Sequence, residues 1–383
     1  MLFIIVATAL AFDFTNGFHD TANAVATSVS TRAMSPRVAV AMSSTLNFVG
    51  AFLSLAVAAT IASGIVDANY ITPSIVFAGL IGAIAWNLAT WYFGLPSSSS
   101  HALIGGVVGS AFVAAGPKAV YGAGIVEKVI VPALVAPVLA LIVCALAISL
   151  TYRIVGRRHP GPVTRGFRLG QLVSGSLFSL SHGTNDAQKT MGIIVLALVS
   201  NGNLKEGADV PTWVVLSAAT AIALGTYVGG WRIIKTMGSR IIKMDPAQGF
   251  ASQTVGACVI LSASHAGFPL STTHVMTGGI MGAGAAKRLS AVRWGVAGNI
   301  AGARGAEDHE REHRADPDPR QQRDVDDLPQ QVRVDGEDGH QPSAVSVRPV
   351  AIRFTNAAVS ARSRMIETTI GPASCAPNRA TTA

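Results

Sequence analysis

The chain has 383 residues, half of them hydrophobic and only 13% charged, with 39 glycines and a mean hydropathy of +0.44. That composition excludes a set of ordinary soluble domains and points to a membrane protein whose helices approach through small residues. Three widely spaced cysteines, Cys144, Cys258 and Cys375, exclude a disulfide framework and a zinc site. The net charge of +8 does not mark a nucleic-acid-binding domain, because the basic residues lie between apolar stretches.

A spanning helix needs about 20 mostly apolar residues. Candidate spans are 1–27, 38–63, 125–150, 170–199 and 211–231. The opening MLFIIVATALAF has no basic leader and no clear cleavage site, so the first span is expected to stay in the protein. Two further stretches, 74–115 and 247–286, are apolar but interrupted by GLPSSSSH and GFPLSTTH. A last apolar stretch begins near Leu289 and turns polar after about Ile300, too soon to span. Residues 1–300 hold 18 Lys+Arg and 8 Asp+Glu, whereas 301–383 hold 11 Arg, no Lys and 13 Asp+Glu. Residues 301–383 lack apolar periodicity and are expected to form a disordered polar tail. The composition of this tail is that of a GC-rich gene read in a shifted frame; a natural acidic-basic tail is the alternative.

Basic clusters mark the cytoplasmic side of a membrane protein. They lie at Arg32/Arg37, Arg153/Arg157/Arg158/Arg165/Arg168, Arg232/Lys235/Arg240/Lys243 and Lys287/Arg288/Arg293. All four share one side only if 74–115 and 247–286 each enter and leave on the same face. Each would then be a re-entrant hairpin, entering from opposite faces, with its tip near mid-membrane. Irregular backbone at that depth must be buried in protein or line a cavity.

The chain carries an internal duplication. GLPSSSSHALIGGVVG (94–109) aligns with GFPLSTTHVMTGGIMG (267–282), and NGFHDTAN (16–23) aligns more weakly with HGTNDAQK (182–189). The order of elements repeats, with an odd number of crossings per half. The expected fold is therefore an all-α polytopic membrane protein, an inverted-repeat secondary transporter with broken helices and two re-entrant hairpins. Its parts would be an N-terminal repeat at 1–150 with a tip at 96–101, a basic cytoplasmic loop at 151–169, a C-terminal repeat at 170–300 with a tip at 269–274, and the tail at 301–383.

Carboxylates inside a span are costly and usually functional. Asp20 and Asp186 sit in polar clusters flanked by glycine, which can unwind a helix. Their oxygens suit a hard cation or a proton; capping and interhelical bonding are the alternative. Asp13 is also within a span but has no counterpart in the second half. After Pro96 and Pro269 a helix begins, with free N–H groups and a positive dipole end that suit an oxyanion. Ser98, Ser99 and Ser100, and Ser271, Thr272 and Thr273, add hydroxyl donors there; ordinary N-capping is the alternative. The glycines beyond each tip (Gly105, Gly106, Gly109; Gly278, Gly279, Gly282) are expected to serve close packing. His101 and His274 read as packed histidines. Lys189 has three open readings: neutralising an anion, snorkelling, or pairing with Asp186.

GFHDTANA (17–24), GTNDAQKTMG (183–192) and the two hairpin tips together resemble the inorganic phosphate transporter (PiT, or PHO4) family, in its compact bacterial branch. The likeness covers about residues 1–300 and all four motifs in order. It implies import of inorganic phosphate by symport with H⁺ or Na⁺, in some members as a neutral complex with a divalent metal. It further implies a bacterial inner-membrane location, a homodimer in the lipid bilayer, no cofactor beyond the coupling ion, and no nucleic-acid partner. By motif, Asp20, Asn23, Asn185 and Asp186 would bind the coupling cation. Ser98, Ser99, Ser100, Ser271, Thr272, Thr273 and Asn23 would bind phosphate. Alternatives are a carrier of another tetrahedral oxyanion such as sulfate, an intramembrane Ser/His hydrolase, which the missing G-x-S-x-G elbow disfavours, and a transporter disabled by its atypical tail.

Overall fold

The computed structural model describes residues 1–296 and Gly298. The end of the short apolar stretch near Ile300 and the whole of 301–383, with their expected disorder and frame shift, lie outside the described residues. Twelve α-helices follow in chain order among the described residues: α1 (Leu2–Ser30), α2 (Pro36–Gly50), α3 (Ala56–Ser63), α4 (Pro73–Phe93), α5 (Ser99–Ala115), α6 (Gly122–Ile125), α7 (Val131–Val155), α8 (Pro160–Ser200), α9 (Thr212–Val228), α10 (Trp231–Lys235), α11 (Pro246–His265) and α12 (Thr272–Lys287). Prolines open α2, α4, α8 and α11, where their missing N–H costs no helical bond.

Among the described residues, three helical runs are long and apolar enough to cross a membrane: Leu2–Ser30, Pro73–Phe93 and Gly122–Val155. A fourth arises if α9 is taken together with Trp231–Arg240, which bends away from it by 62°. Along α7 the residues Leu134, Val138, Ile142, Leu146, Leu150 and Ile154 form an exposed stripe at i, i+4 spacing. Such a stripe suits contact with lipid rather than water.

Four expectations need correction. The candidate span 38–63 is two helices, α2 and α3, separated at residues 51–55. The basic loop expected at 151–169 shrinks to residues 156–159, because α7 and α8 extend into it from both sides. The glycines beside Asp20 and Asp186 do not break their helices, and α1 and α8 run through both motifs. Finally, Gly105 and Gly109 face open space, while Gly106 meets Gly79 and their counterparts Gly278 and Gly282 press on the Pro137 and Leu141 carbonyls of α7.

The glycines of the aspartate motifs serve contact between the halves. A methyl group on Gly17 of α1 would collide with the Ile222 carbonyl of α9, and one on Gly225 of α9 with the Phe14 carbonyl of α1. The second half repeats the arrangement: Gly183 of α8 meets the Asn47 carbonyl of α2, and Gly50 of α2 meets the Leu180 carbonyl of α8. Each aspartate-bearing helix thus packs on the helix that follows the other one.

The two interrupted stretches are helical hairpins of matching register. In the first, Ser110 donates to the Ile75 carbonyl at 2.9 Å, and Gly79 meets Gly106. In the second, Gln248 donates to the Ala283 carbonyl at 2.9 Å, and Ser252 neighbours Gly279.

Gly17→Val and Gly183→Val are expected to abolish a monodisperse peak in fluorescence size-exclusion chromatography, since backbone blocks both added side chains. Gly105→Ala and Gly109→Ala should keep that peak and raise thermal stability by up to about 1 kcal/mol each through helix propensity.

Candidate functional site

The site is built where the two hairpin tips meet α1 and α8. Each tip turns on a left-handed glycine, Gly94 (φ +67°) or Gly267 (φ +78°), a conformation that favours glycine. Each restarts as a helix with a serine N-cap. Ser98 accepts from the His101 N–H at 3.1 Å, and Ser271 from the His274 N–H at 3.3 Å. The tips are bonded to each other by exchanged bonds: Ser100 donates to the Leu270 carbonyl and Thr273 to the Ser97 carbonyl, both at 3.1 Å. The His101 and His274 rings sit 5.1 Å apart beside this contact.

The two aspartates meet the tips in the same manner. Asp20 accepts from Ser99 at 2.6 Å, and Asp186 from Thr272 at 3.3 Å. One turn beyond each aspartate, a side chain crosses to the other hairpin. Asn23 donates to Thr273 at 2.9 Å and to Thr272 at 3.3 Å. Lys189 donates to Ser100 at 2.5 Å and to the Leu270 carbonyl at 2.8 Å, and its ammonium is ion-paired with Asp186. Of the three readings of Lys189, pairing with Asp186 is the one observed; the side chain is 1% exposed and does not snorkel.

Histidines complete the surroundings. His19 bonds Asp20 at 2.8 Å through Nδ1 and Thr90 at 3.0 Å through Nε2. His182 Nε2 lies 2.9 Å from Asp186 Oδ2, and its Nδ1 bonds Asn47 at 3.2 Å. One ligand atom each from Asp20, His182 and Asp186 lie within 4.8 Å of one another, a donor set able to hold a metal ion. Two carboxylates at that distance repel by about 3 kcal/mol at an effective dielectric near 20, so positive charge has to accompany them. Lys189 supplies one such charge.

The structure therefore brings Asp20, Asn23, Asp186, Ser99, Ser100, Thr272 and Thr273 into one buried polar cluster. Ser98 and Ser271 lie at its edge with their hydroxyls engaged as caps. Asn185 points to the second hairpin, donating to Ser264 at 2.9 Å and to the Phe268 carbonyl at 3.4 Å, while its own carbonyl oxygen has no partner. Sequence reasoning missed the carbonyls of Ser97 and Leu270, which bind the crossing hydroxyls. Backbone carbonyls carry no residue-type signal. It also missed Thr90, which lies in a mostly apolar helix. Every side chain of the cluster is buried, so the site is closed to solvent.

The profile of the "Phosphate transporter family", PHO4, matches residues 16–303. A "Probable low-affinity inorganic phosphate transporter" of Mycobacterium bovis is 56% identical over 301 residues, covering 78% of this chain and 72% of that one. Its namesake in Bacillus subtilis is 46% identical over 296 residues, covering 77% and 89%. Among solved structures, "The sodium-dependent phosphate transporter" is similar with a TM-score of 0.70 and 25% identity, covering 78% of this chain and 93% of that chain. These relatives are transporters, not enzymes, which removes the Ser/His hydrolase reading. With three quarters of its length matched and all four motifs inside the match, this multi-pass membrane chain belongs to the phosphate transporter family.

Proposed function

We propose that this chain imports inorganic phosphate by symport with H⁺ or Na⁺, through alternating exposure of the cluster between the hairpin tips. One observation carries the reading: the exchanged bonds Asn23 to Thr273 and Lys189 to Ser100 join four motifs, distant in sequence, at one buried polar point. The duplicated contacts support two repeats, 1–150 and 170–300, inverted in the membrane, with 74–115 and 247–286 as re-entrant hairpins.

Phosphate would be held by Ser98, Ser99, Ser100, Ser271, Thr272, Thr273 and Asn23. The backbone N–H groups of the first turns of α5 and α12 add donors without helical partners. The coupling cation would be held by Asp20, Asn23, Asn185 and Asp186, whose oxygens are hard donors. Lys189 would act as a fixed counter-charge to Asp186. Phosphate and cation together neutralise the site, which lowers the cost of carrying it between faces. The Asp20, His182 and Asp186 atoms also fit a divalent metal entering with phosphate as cargo. The unit in the bilayer would be a homodimer.

Radiolabelled phosphate uptake in cells lacking their own phosphate transporters tests this reading. The wild-type chain should accumulate phosphate, and Asp20→Asn or Asp186→Asn should abolish uptake while the protein remains in the membrane. Wild-type rates in both variants would remove the two aspartates from the mechanism. Labelled sulfate taken up in place of phosphate would assign a different tetrahedral anion.

Ser99→Ala and Thr272→Ala should each weaken phosphate binding by about tenfold or more, the value of one hydrogen bond to a charged group. Binding to purified protein measures this. A larger effect on cation than on phosphate affinity would exchange the two assigned roles.

Lys189→Met should destabilise the protein by about 3–5 kcal/mol, because it leaves Asp186 buried without its counter-charge. Adding Asp186→Asn to that variant should recover part of the loss. Thermal unfolding of the three proteins decides it; equal melting temperatures would mean that the ion pair carries no stability.

A further inference from the structure

Two turns before Asp20, α1 carries a second carboxylate that the cluster does not use. Asp13 is 0% exposed, and neither of its oxygens has a hydrogen-bond partner. One turn further along, the Asn16 side-chain oxygen is also unpartnered and is 1% exposed. From α8, Thr190 faces the same place, 1% exposed, with an unpartnered hydroxyl. The buried helical threonines Thr21 and Thr184 bond the carbonyl four residues back, whereas Thr27 makes no such bond. The Thr190 hydroxyl makes none either, and turns instead towards the Asp13 carboxylate.

Four oxygen atoms, two from a carboxylate, one from an amide and one from a hydroxyl, thus gather between α1 and α8, where the Asn16 and Thr190 side chains face the Asp13 carboxylate but no hydrogen bond of ordinary geometry is made by any of the four. Buried polar atoms are nearly always satisfied, and an isolated buried carboxylate is the costliest to leave alone. Charged groups that act on Asp13 are Asp186, which opposes its charge, and Lys189, which favours it. The Lys189 ammonium is committed to Asp186, Ser100 and the Leu270 carbonyl. What Asp13 lacks is a positive partner of its own.

We propose that Asp13, Asn16 Oδ1 and Thr190 Oγ1 form a second cation site, distinct from the Asp20–Asp186 cluster, that takes one small hard monovalent cation, Na⁺ or a proton, during transport. The all-oxygen donor set suits a hard cation and disfavours softer metals. A proton on Asp13 would be donated to Asn16 Oδ1, with Thr190 donating to the other carboxylate oxygen, which satisfies all four atoms. Na⁺ would draw on the same four. The site exists once in the chain, because the position in α8 that corresponds to Asp13 is Ser179, whose hydroxyl bonds the Gly175 carbonyl. Coupling needs no relay: α1 carries Asp13 and Asp20 on one rigid helix about 10 Å apart, and α8 carries Asp186 and Thr190. This inference rests on the transport reading above for its role, but the cation site itself does not.

The test uses the purified full chain and the same chain in proteoliposomes. Thermal unfolding is compared in NaCl and choline chloride, at acidic and alkaline pH, for the wild type, Asp13→Asn and Thr190→Val. A stabilising shift with Na⁺ identifies sodium; a shift with acid alone identifies the proton. Asp13→Asn should reduce the shift, the remainder belonging to the Asp20–Asp186 cluster, and Thr190→Val should weaken the apparent cation affinity of the Asp13 part by about tenfold. In proteoliposomes, Asp13→Asn should carry one positive charge fewer per phosphate and should lose gradient-driven accumulation. Wild-type shift and charge ratio in Asp13→Asn would overturn the site. If that variant does not fold, unchanged cation dependence in Thr190→Val overturns it instead. A cation shift that Asp13→Asn reduces, in a chain that moves no phosphate, would sink the transport reading and leave the site standing. Transport of phosphate without any cation shift would do the opposite.

Discussion

Two carboxylates sealed from water, Asp20 and Asp186, impose the constraint that the surrounding structure answers. Their charge cannot be left bare in a low-dielectric interior, and their mutual repulsion adds to the cost. The protein meets this with donors drawn from four separate places. Ser99 and Thr272 come from the hairpin tips, His19 from α1, and His182 and Lys189 from α8. His19, His182 and Lys189 lie within four residues of the aspartate they meet, whereas Ser99 and Thr272 come from about 80 residues away. The carboxylates therefore tie the folding of the hairpins to the folding of α1 and α8.

That dependence explains the placement of small residues. Donors reach the aspartates only if α1 and α8 stand close to their neighbours, and glycine removes the side chain that would hold them apart. Gly17 and Gly225 close α1 on α9, while Gly183 and Gly50 close α8 on α2. Because each aspartate helix packs on a helix of the other half, neither half completes its own packing. The outer surface reverses the usual pattern of a globular protein: α7 turns leucines, isoleucines and valines outward, and the polar residues gather inside. A bilayer is the solvent that makes this arrangement stable.

The two halves of the cluster match in shape but not in charge. Asn23 and Lys189 occupy corresponding places, and each reaches a hydroxyl on the opposite hairpin. One is neutral and the other cationic. The same asymmetry recurs along the helices, where Asp13 stands opposite Ser179 in the alignment of the motifs. Duplication supplied two equivalent frames, and substitutions within them distinguish one side from the other.

The sequence by itself determined the membrane class, the two matching interrupted helical stretches and the presence of Asp20 and Asp186 inside apolar helices. Apolar length, repeated Gly-Pro-Ser/Thr strings and charge inside a span are all local signals that survive without coordinates. It misjudged 38–63, the basic connection and the glycines beside the aspartates, because a glycine in a helix reads the same whether it unwinds the backbone or admits a neighbour. Only the tertiary structure decided that Lys189 reaches Ser100 on the first hairpin, that Ser97 and Leu270 lend their carbonyls, and that Asp13 stands beside Asn16 and Thr190. Those facts depend on which helices meet. Contacts between residues more than a hundred positions apart leave no periodicity in the chain that makes them.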